Sequence, residues 1–595
     1  MTAGLHLALI GNCCVSALLD PAAQLVWGCF PRFDGDPVFH ALLGAPTDDR
    51  DAGVFAVDLD GLTETRQEYE PNTAVVRTRL ISPAGAVEVT DFAPRFKWRD
   101  RSFRPQMLVR RVKPLWGSPR IRIRLKPRSN YGADRFVTAR GSNHVRFVSD
   151  SLSLRLTTDA PIDYIASSTW FILTAPVAFL FGIDEAPSEG VSETAADFEA
   201  RTLSYWREWV QRLAVPFEWQ DAVIRAAITL KLCSYEPTGA IVAALTTSLP
   251  EAPDSGRNWD YRYCWLRDAF FVVRALNSLS AIRTMELHYR WLMNIVAAAE
   301  HDAIQPVYGV ALEPTLTERI APALPGLNGM GPVRVGNRAY EQPQHDTYGH
   351  IILAAAPAFF DQRLLMGIGE ADFVRLEGVG EHAYRLYDCP DAGIWEYRTR
   401  QRVHTSSAVL CWAGCDRLAR IARRVGRPDR AGLWEDRAEE VRRTTLARSW
   451  SEERQAFVES FEGRHLDASV LLMSEVGMIA ADDPRFVSTV DKLERSLARG
   501  ALMMRYEEPD DFGPPHTAFN VCAFWRIAAL ARMGRKDEAR EHFQELLSYR
   551  NPLGLMSEDT AIATGTAWGN FPQTYSMAGI INAAMGLSVK WEEMV

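Results

Sequence analysis

The stretch NWDYRYCWLRDAFFVVRALNSLS, Asn258 to Ser280, joins two kinds of sequence without a break. Asn258 to Asp268 mixes aromatic rings with Asp, Arg and Asn, and 268–279 then reads as an apolar helical segment. A short connection follows, and the alternation repeats down the chain. Helical periodicity predicts twelve segments, near 219–235, 268–279, 283–300, 345–363, 368–386, 404–425, 428–446, 466–476, 484–498, 516–533, 535–548 and 572–585. The connections before the even-numbered segments are long and those after them are short. Up-down helices with alternating loop lengths place every long loop at one end. Six such hairpins predict a closed ring of inner and outer helices, an (α/α)6 barrel over 217–595, with function at the long-loop end.

Upstream, the period changes. Residues 1–190 show period-two alternation: Ile121, Ile123 and Leu125 interleave with Arg120, Arg122 and Arg124, and Met107-Leu108-Val109, 87–92, 145–148 and 152–156 read as further short strands. Gly, Pro, Asn and Asp separate them, which predicts an antiparallel β-sandwich. Between the two, 191–216 reads as a helical linker with Leu203, Trp206, Trp209 and Leu213 on one face.

The 595 residues carry 66 Lys plus Arg against 75 Asp plus Glu, a net charge of −9 that argues against nucleic-acid or anionic-membrane binding. The longest apolar run, 171–183, is interrupted by Pro176 and is too short to span a bilayer, so a soluble chain is expected. No Lys or Arg precedes the short apolar stretch at the N-terminus, which does not read as a secretory signal. The nine cysteines form neither a disulfide framework nor a CxxC motif, and Cys411 with Cys415 reads as helix packing; a reducing cytoplasm is the expected location. No HExxH, P-loop or correctly placed GxGxxG occurs, so neither a metal nor another cofactor is expected.

The long loops are NWDYRYCWLRD, YEQPQHDTYG (340–349), GIWEYR (393–398) and SEDTAIATGTAWGNFPQTYS (557–576). Rings interleaved with charged and amide groups suit a sugar, whose C–H faces pack on aromatics and whose hydroxyls need polar partners. Trp259, Tyr261, Trp265, Tyr340, Trp395, Tyr397, Trp568 and Phe571 are the candidate rings. Hydrolysis of a glycosidic bond by inversion needs one carboxylic acid and one carboxylate, roughly 6.5–9.5 Å apart. Glu396, between Trp395 and Tyr397, is predicted to be held protonated by apolar walls. Glu558, in a polar loop, is predicted to stay ionised. Glu341, Glu507, Glu508 and Asp559 compete for these roles, so the physics of the residues nominates a class of site and not its members.

Taken together, ALIGNCCVSALLDPAAQLVWGCFPRFD (8–34), TTSLPEAPDSGRNWDYRYCWLRDA (246–269) and the three later loops resemble glycoside hydrolase family 15, the family of glucoamylases, glucodextranases and bacterial trehalases, over nearly the whole chain. The resemblance implies a β-sandwich followed by an (α/α)6 barrel, and single-displacement release of β-glucose from a non-reducing α-glucosyl end. It also implies Glu396 as general acid, Glu558 as general base, Arg267 and Asp268 holding the terminal glucose, and Tyr261 and Trp265 lining its pocket. Tyr340 and Gln344, with Asp346, match the neighbouring pocket-side loop. The departures are GPPHTAFNVCAFW (513–525), with His516 and Thr517 in place of an acidic residue, and the uncharged AIATGTAWGNFPQ after Glu558. Both put the identity of the sugar in question more than the reaction. A small oligosaccharide of trehalose, maltose or isomaltose type and water are the expected partners, and a homo-oligomer is a candidate assembly. An isomerase or lyase using His345, His404 or His516, and a non-catalytic sugar-binding protein, are the alternatives.

Overall fold

The computed structural model describes residues 5–299, 303–364 and 367–594, apart from 48 and 50. Residue 300, the last of the third expected helical segment, lies outside them. An antiparallel β-sandwich is followed by an all-α barrel. The first sheet runs in the order Ala8–Gly11, Ser16–Leu19, Leu25–Phe30, Val54–Leu59, Arg120–Lys126, Phe171–Ile172, with Asp36–Phe39 also pairing with Leu25–Phe30. The second is ordered Val137–Arg140, His144–Val148, Ser153–Thr158, Val177–Ile183, Met107–Gly117, Gly85–Phe92, Val76–Ser82, Glu64–Tyr69. Both are antiparallel throughout, and the alternating side chains give each sheet one apolar inner face.

Phe39 and Phe55 of the first sheet pack on Phe181 and Phe179 of the second, with ring centroids 5.0 and 5.9 Å apart. A charge also crosses this core. Arg110 is bound to Asp91 at 2.7 Å within the second sheet, and its guanidinium donates to Phe55 O of the first sheet and to Ala23 O. Each of its three guanidinium nitrogens donates, the condition under which a buried cation is tolerated.

Helix α1 (Val191–Gln211) leads to the barrel with Trp206 fully buried. The outer helices are α2 (Gln220–Leu232), α4 (Ile282–Ala299), α6 (Glu370–Leu386), α8 (Pro428–Arg448), α10 (Pro484–Leu497) and α12 (Lys536–Leu547). The inner helices are α3 (Leu266–Ser278), α5 (Asp346–Ala355), α7 (Thr405–Arg424), α9 (Leu472–Glu475), α11 (Asn520–Arg532) and α13 (Thr574–Leu587). Each inner helix touches the next, and α13 returns to α3, closing the ring. Among the described residues, no helix is long and apolar enough to cross a membrane.

Three inner segments are shorter than the periodicity predicts, each for a local reason. The 345–363 segment breaks after Ala355, where Pro357 supplies no N–H, and restarts as Pro357–Phe360. The 466–476 segment becomes a 3-10 turn, Ala468–Leu471, capped by the Asp467 side chain, plus the single turn α9. The 516–533 segment starts at Asn520 because Ala518–Phe519 pairs as a strand with Asp559–Thr560.

Replacing Arg110 by Met is expected to strand Asp91 as a buried, unpaired carboxylate and to cost about 3–5 kcal/mol. Scanning calorimetry of the whole chain checks this: a sandwich transition as hot as that of the wild type would show the pair to be dispensable.

Candidate active site

Residues 243–248 run antiparallel to 259–263, joined by Ala243 N–H to Tyr263 O, Ala244 N–H to Tyr261 O and Ser248 N–H to Trp259 O. The NWDYRYCW stretch is therefore extended, and its side chains alternate. Asn258, Asp260 and Arg262 are fully buried beneath it, whereas Trp259, Tyr261 and Trp265 line a cleft on the opposite side. Sequence reading saw the rings of this motif but not its two faces. That alternation was the available signal.

The cleft encloses about 910 Å³, its open mouth included. It lies at the long-loop end of the barrel, and every lining residue belongs to the barrel segment. Of the residues expected from sequence, Tyr261, Trp265, Arg267, Asp268, Trp395, Glu396, Tyr397 and Glu558 line it. Tyr340 and Gln344 do not. The Tyr340 hydroxyl donates outward to Glu341, and Gln344 is buried behind Arg267, accepting from its Nη1 at 2.9 Å. Trp568 and Phe571 are buried away from the cleft, and Glu341, Glu507 and Glu508 are held in ion pairs with Arg338, Arg454 and Arg402. His345, His404 and His516 do not line it either, which leaves the histidine-based alternative without its proton carriers.

Glu396 sits in a tight turn, its N–H bonded to Gly393 O, with φ +59°. A non-glycine residue in that region costs about 1 kcal/mol or more, here held in place by the side chain's bonds. Trp265 Nε1 and Arg267 Nη2 both donate to Glu396 Oε1, at 2.6 and 2.8 Å. The donors to this carboxyl come from residues distant in sequence, not from the flanking rings. Trp395 turns its N–H to Asp467 Oδ2 and its ring to Phe519 and Trp525, while Tyr397 stacks on His404. Arg267 is held from behind by Gln344 and Asp346, and burial of Asp346 is overcome by His350 and Arg267, which hold its carboxyl at about 2. Asp268, 3.8 Å from Arg267 Nε, is pushed up to about 7 by burial, with Glu396 adding to the shift.

Glu558 is also unlike its prediction. It is 1% exposed, and burial together with the neighbouring carboxylates Glu251 and Asp559 raises its pKa well above the ordinary range. Arg505, in ion pairs with Glu251 and with Asp559 at 3.6 Å, opposes that rise. Tyr261 OH donates to Glu558 Oε1 at 2.8 Å and Asn570 N–H to Oε2 at 3.2 Å. A three-strand ladder of Ala518–Phe519, Asp559–Thr560 and Ala567–Trp568 carries the glutamate. Gly569, at φ +74°, passes so close that a Cβ would stand 2.6 Å from the Glu558 carboxylate. Glu251, Arg505, Arg257 and Asp510 were not singled out from sequence, because nothing in their spacing connects them before the loops fold together. The two glutamates thus occupy opposite ends of one aromatic contact, Tyr261 against Trp265 at 5.4 Å.

The family model for glycosyl hydrolases family 15 matches residues 219–585, and that for the trehalase-like N-terminal domain matches 5–167. A trehalase of Mycolicibacterium smegmatis is 31% identical over 611 residues, covering 97% of this chain and 90% of its own. A trehalase of Thermoplasma volcanium is also 31% identical, covering 97% and 92%. The crystal structure of a bacterial glucoamylase complexed with acarbose shares the fold over 98% of this chain and 94% of its own, with a TM-score of 0.69 at 12% identity.

Proposed function

Because the chain belongs to glycosyl hydrolases family 15 and is a glycoside hydrolase, we propose that it removes a terminal, non-reducing α-glucosyl residue from a small oligosaccharide with inversion, and that α,α-trehalose is its substrate. What supports the reaction is that Glu396 and Glu558 line one cleft, each oriented by its own donors. The substrate rests on the relatives named trehalase, which align with both the sandwich and the barrel.

In this reading Glu396 is the acid and Glu558 the base. Trp265 and Arg267 occupy Oε1 of Glu396, which leaves Oε2 as the oxygen that delivers the proton to the glycosidic oxygen. As the bond breaks, the anomeric carbon gains oxocarbenium character, and a water deprotonated by Glu558 attacks from the other face. Asp268, 3.8 Å from Arg267 and lining the cleft, is the acceptor for hydroxyls of the terminal glucose. Tyr261 and Trp265 present ring surface to its C–H face.

The base must be ionised to act. Burial and Glu251 raise its pKa, so activity is lost on acidification at a higher pH than the roughly 4.3 of an ordinary glutamate would give. Tyr261→Phe removes a donor to the carboxylate, which disfavours the charged form. The acid limb of kcat/KM is therefore expected to move upward and kcat/KM to fall about tenfold. An unmoved limb would separate Tyr261 from the base.

Glu396→Gln and Glu558→Gln are each expected to lower kcat by about 10²–10⁴-fold in a folded chain. Near-normal turnover removes that glutamate from its role. Proton NMR of trehalose, maltose, isomaltose, kojibiose and nigerose digests tests the rest. Trehalose is expected to react fastest and to give α- and β-glucose in equal initial amounts, one from the leaving sugar and one inverted. Initial α-glucose alone would overturn inversion, and inert trehalose beside a cleaved isomer would overturn the substrate.

A further inference from the structure

Asp510, Asp511 and Phe512 line the rim of the catalytic cleft, and this short stretch is fastened to two of the loops that form it. Arg257 grips Asp510 with both η nitrogens, Nη1 to Oδ2 at 2.7 Å and Nη2 to Oδ1 at 2.6 Å, and Nη2 also donates to Gly513 O at 2.8 Å. Asp511 accepts from the N–H of Arg398 at 2.6 Å and from the Thr399 hydroxyl, just beyond Glu396 in the chain. Phe512 meets the Trp259 ring edge-on, with centroids 5.3 Å apart. Adjacent carboxylates thus hold different loops: Asp510 the one before α3, Asp511 the one that carries Glu396.

Asp510 also belongs to the electrostatics around Glu558. Arg257 is 4% exposed, and its Nη1 lies 3.8 Å from Glu251 Oε2. Glu251 pairs with Arg505 and accepts from Trp259 Nε1 at 3.2 Å. Arg505 lies 3.6 Å from Asp559, which is next in the chain to Glu558 and accepts from the Thr517 hydroxyl. Glu558 itself faces Tyr261, Glu251, Asp559 and Arg505. Tyr506 donates to Asp510 Oδ2 at 2.6 Å, and Arg334 and Arg398, which lie against the Trp259 ring, are paired with Glu318. In such an array a forked arginine–carboxylate pair is close to neutral toward its surroundings. Without the Asp510 charge, Arg257 presents a full positive charge to Glu251 and, behind it, to Glu558.

Resting on the reading of Glu558 as the catalytic base, we propose that Asp510 is a positioning residue for that base: it engages Arg257, and so limits the positive charge that reaches Glu251 and Glu558, while it anchors the rim of the cleft. With the rim seated, the base keeps a high affinity for the proton it takes from water. With the rim released, Arg257 is free to pair with Glu251 and the base is weakened. A general base works best when its proton affinity matches the working pH, so seating the rim and activating the base become one event.

The test is the pH profile of kcat/KM for the full chain on trehalose, or on whichever α-glucoside it cleaves fastest. Asp510→Asn is expected to move the acid limb downward by about half a pH unit, a roughly threefold loss of proton affinity at the base, and to lower kcat by about twofold. Asp510→Glu, which keeps the charge, is expected to leave the limb where the wild type has it. Asp511→Asn loosens the same rim without touching Arg257, and is expected to raise KM with the limb unmoved. Asp510→Ser carries the expectation of Asp510→Asn where the amide variant does not fold. A limb unmoved by loss of the Asp510 charge, or moved equally by Asp511→Asn, would overturn the proposal. Glu558→Gln separates this from the reading beneath it: normal turnover in that variant removes the base itself, whereas an inactive Glu558→Gln beside an unmoved limb in Asp510→Asn removes Asp510 alone.

Discussion

The ion pair between Asp260 and Arg262 is the constraint on which the catalytic cleft depends. Both side chains are fully buried and joined at 2.7–2.8 Å. Arg262 also donates to Gly35 O and to Tyr131 OH of the sandwich, and Asp260 accepts the N–H of Gly336. One pair therefore ties the sandwich, the loop before α3 and the loop before α5 to a common point. A slip of one residue in this extended segment would turn Asp260 and Arg262 into the cleft and bury Tyr261 without a partner for its hydroxyl. The energetic penalty for a charge left unpaired in the core fixes the register, and the register aims the rings.

Two arginines then divide the electrostatic work within the cleft. Arg267 serves the Glu396 side, held by Asp346 and Gln344 so that one η nitrogen is fixed toward the carboxyl. Arg505 serves the Glu558 side, but it and Arg257, which is 3.8 Å from Glu251 and also paired with Asp510, face more carboxylates than they can neutralise: Glu251, Asp559, Glu558 and Asp510. Proton affinity is consequently high on that side. Tyr261 and the N–H of Asn570 donate directly to the glutamate itself, which offsets part of that rise.

The architecture was legible because it is written in repeating signals: period two before 190, period 3.6 after 217, and loop lengths that alternate. What failed locally failed where a long-range contact overrode the period, as when Ala518–Phe519 joined a strand instead of the start of α11. The two glutamates were legible through motif resemblance, while their surroundings were not. Flanking residues suggested apolar walls for Glu396, yet Trp395 and Tyr397 face elsewhere and its real neighbours, Trp265 and Arg267, lie some 130 residues away in the chain. Glu558 looked solvated from its Gly- and Thr-rich context, but that composition allows a tightly folded loop to bury it, with Gly569 giving the backbone room. Local sequence reports what can be near a residue; burial reports what is.

The sandwich contributes no side chain to the catalytic cleft, yet it is bonded to the cleft's supporting backbone at several points. Trp27 Nε1 donates to Leu245 O, Arg32 pairs with Glu313, Arg95 with Glu236, and Gly35 O takes the guanidinium of Arg262. These contacts fall on the segments flanking the cleft residues of two long loops rather than on those residues themselves. A loop of more than thirty residues, 233–265, closed only by its own ends has many conformations to lose on ordering. Anchored every few residues to a rigid neighbour, it has few. The sandwich is thus best understood as the template against which the barrel's first long loop is set, and its burial of charge as the means by which that setting is made unique.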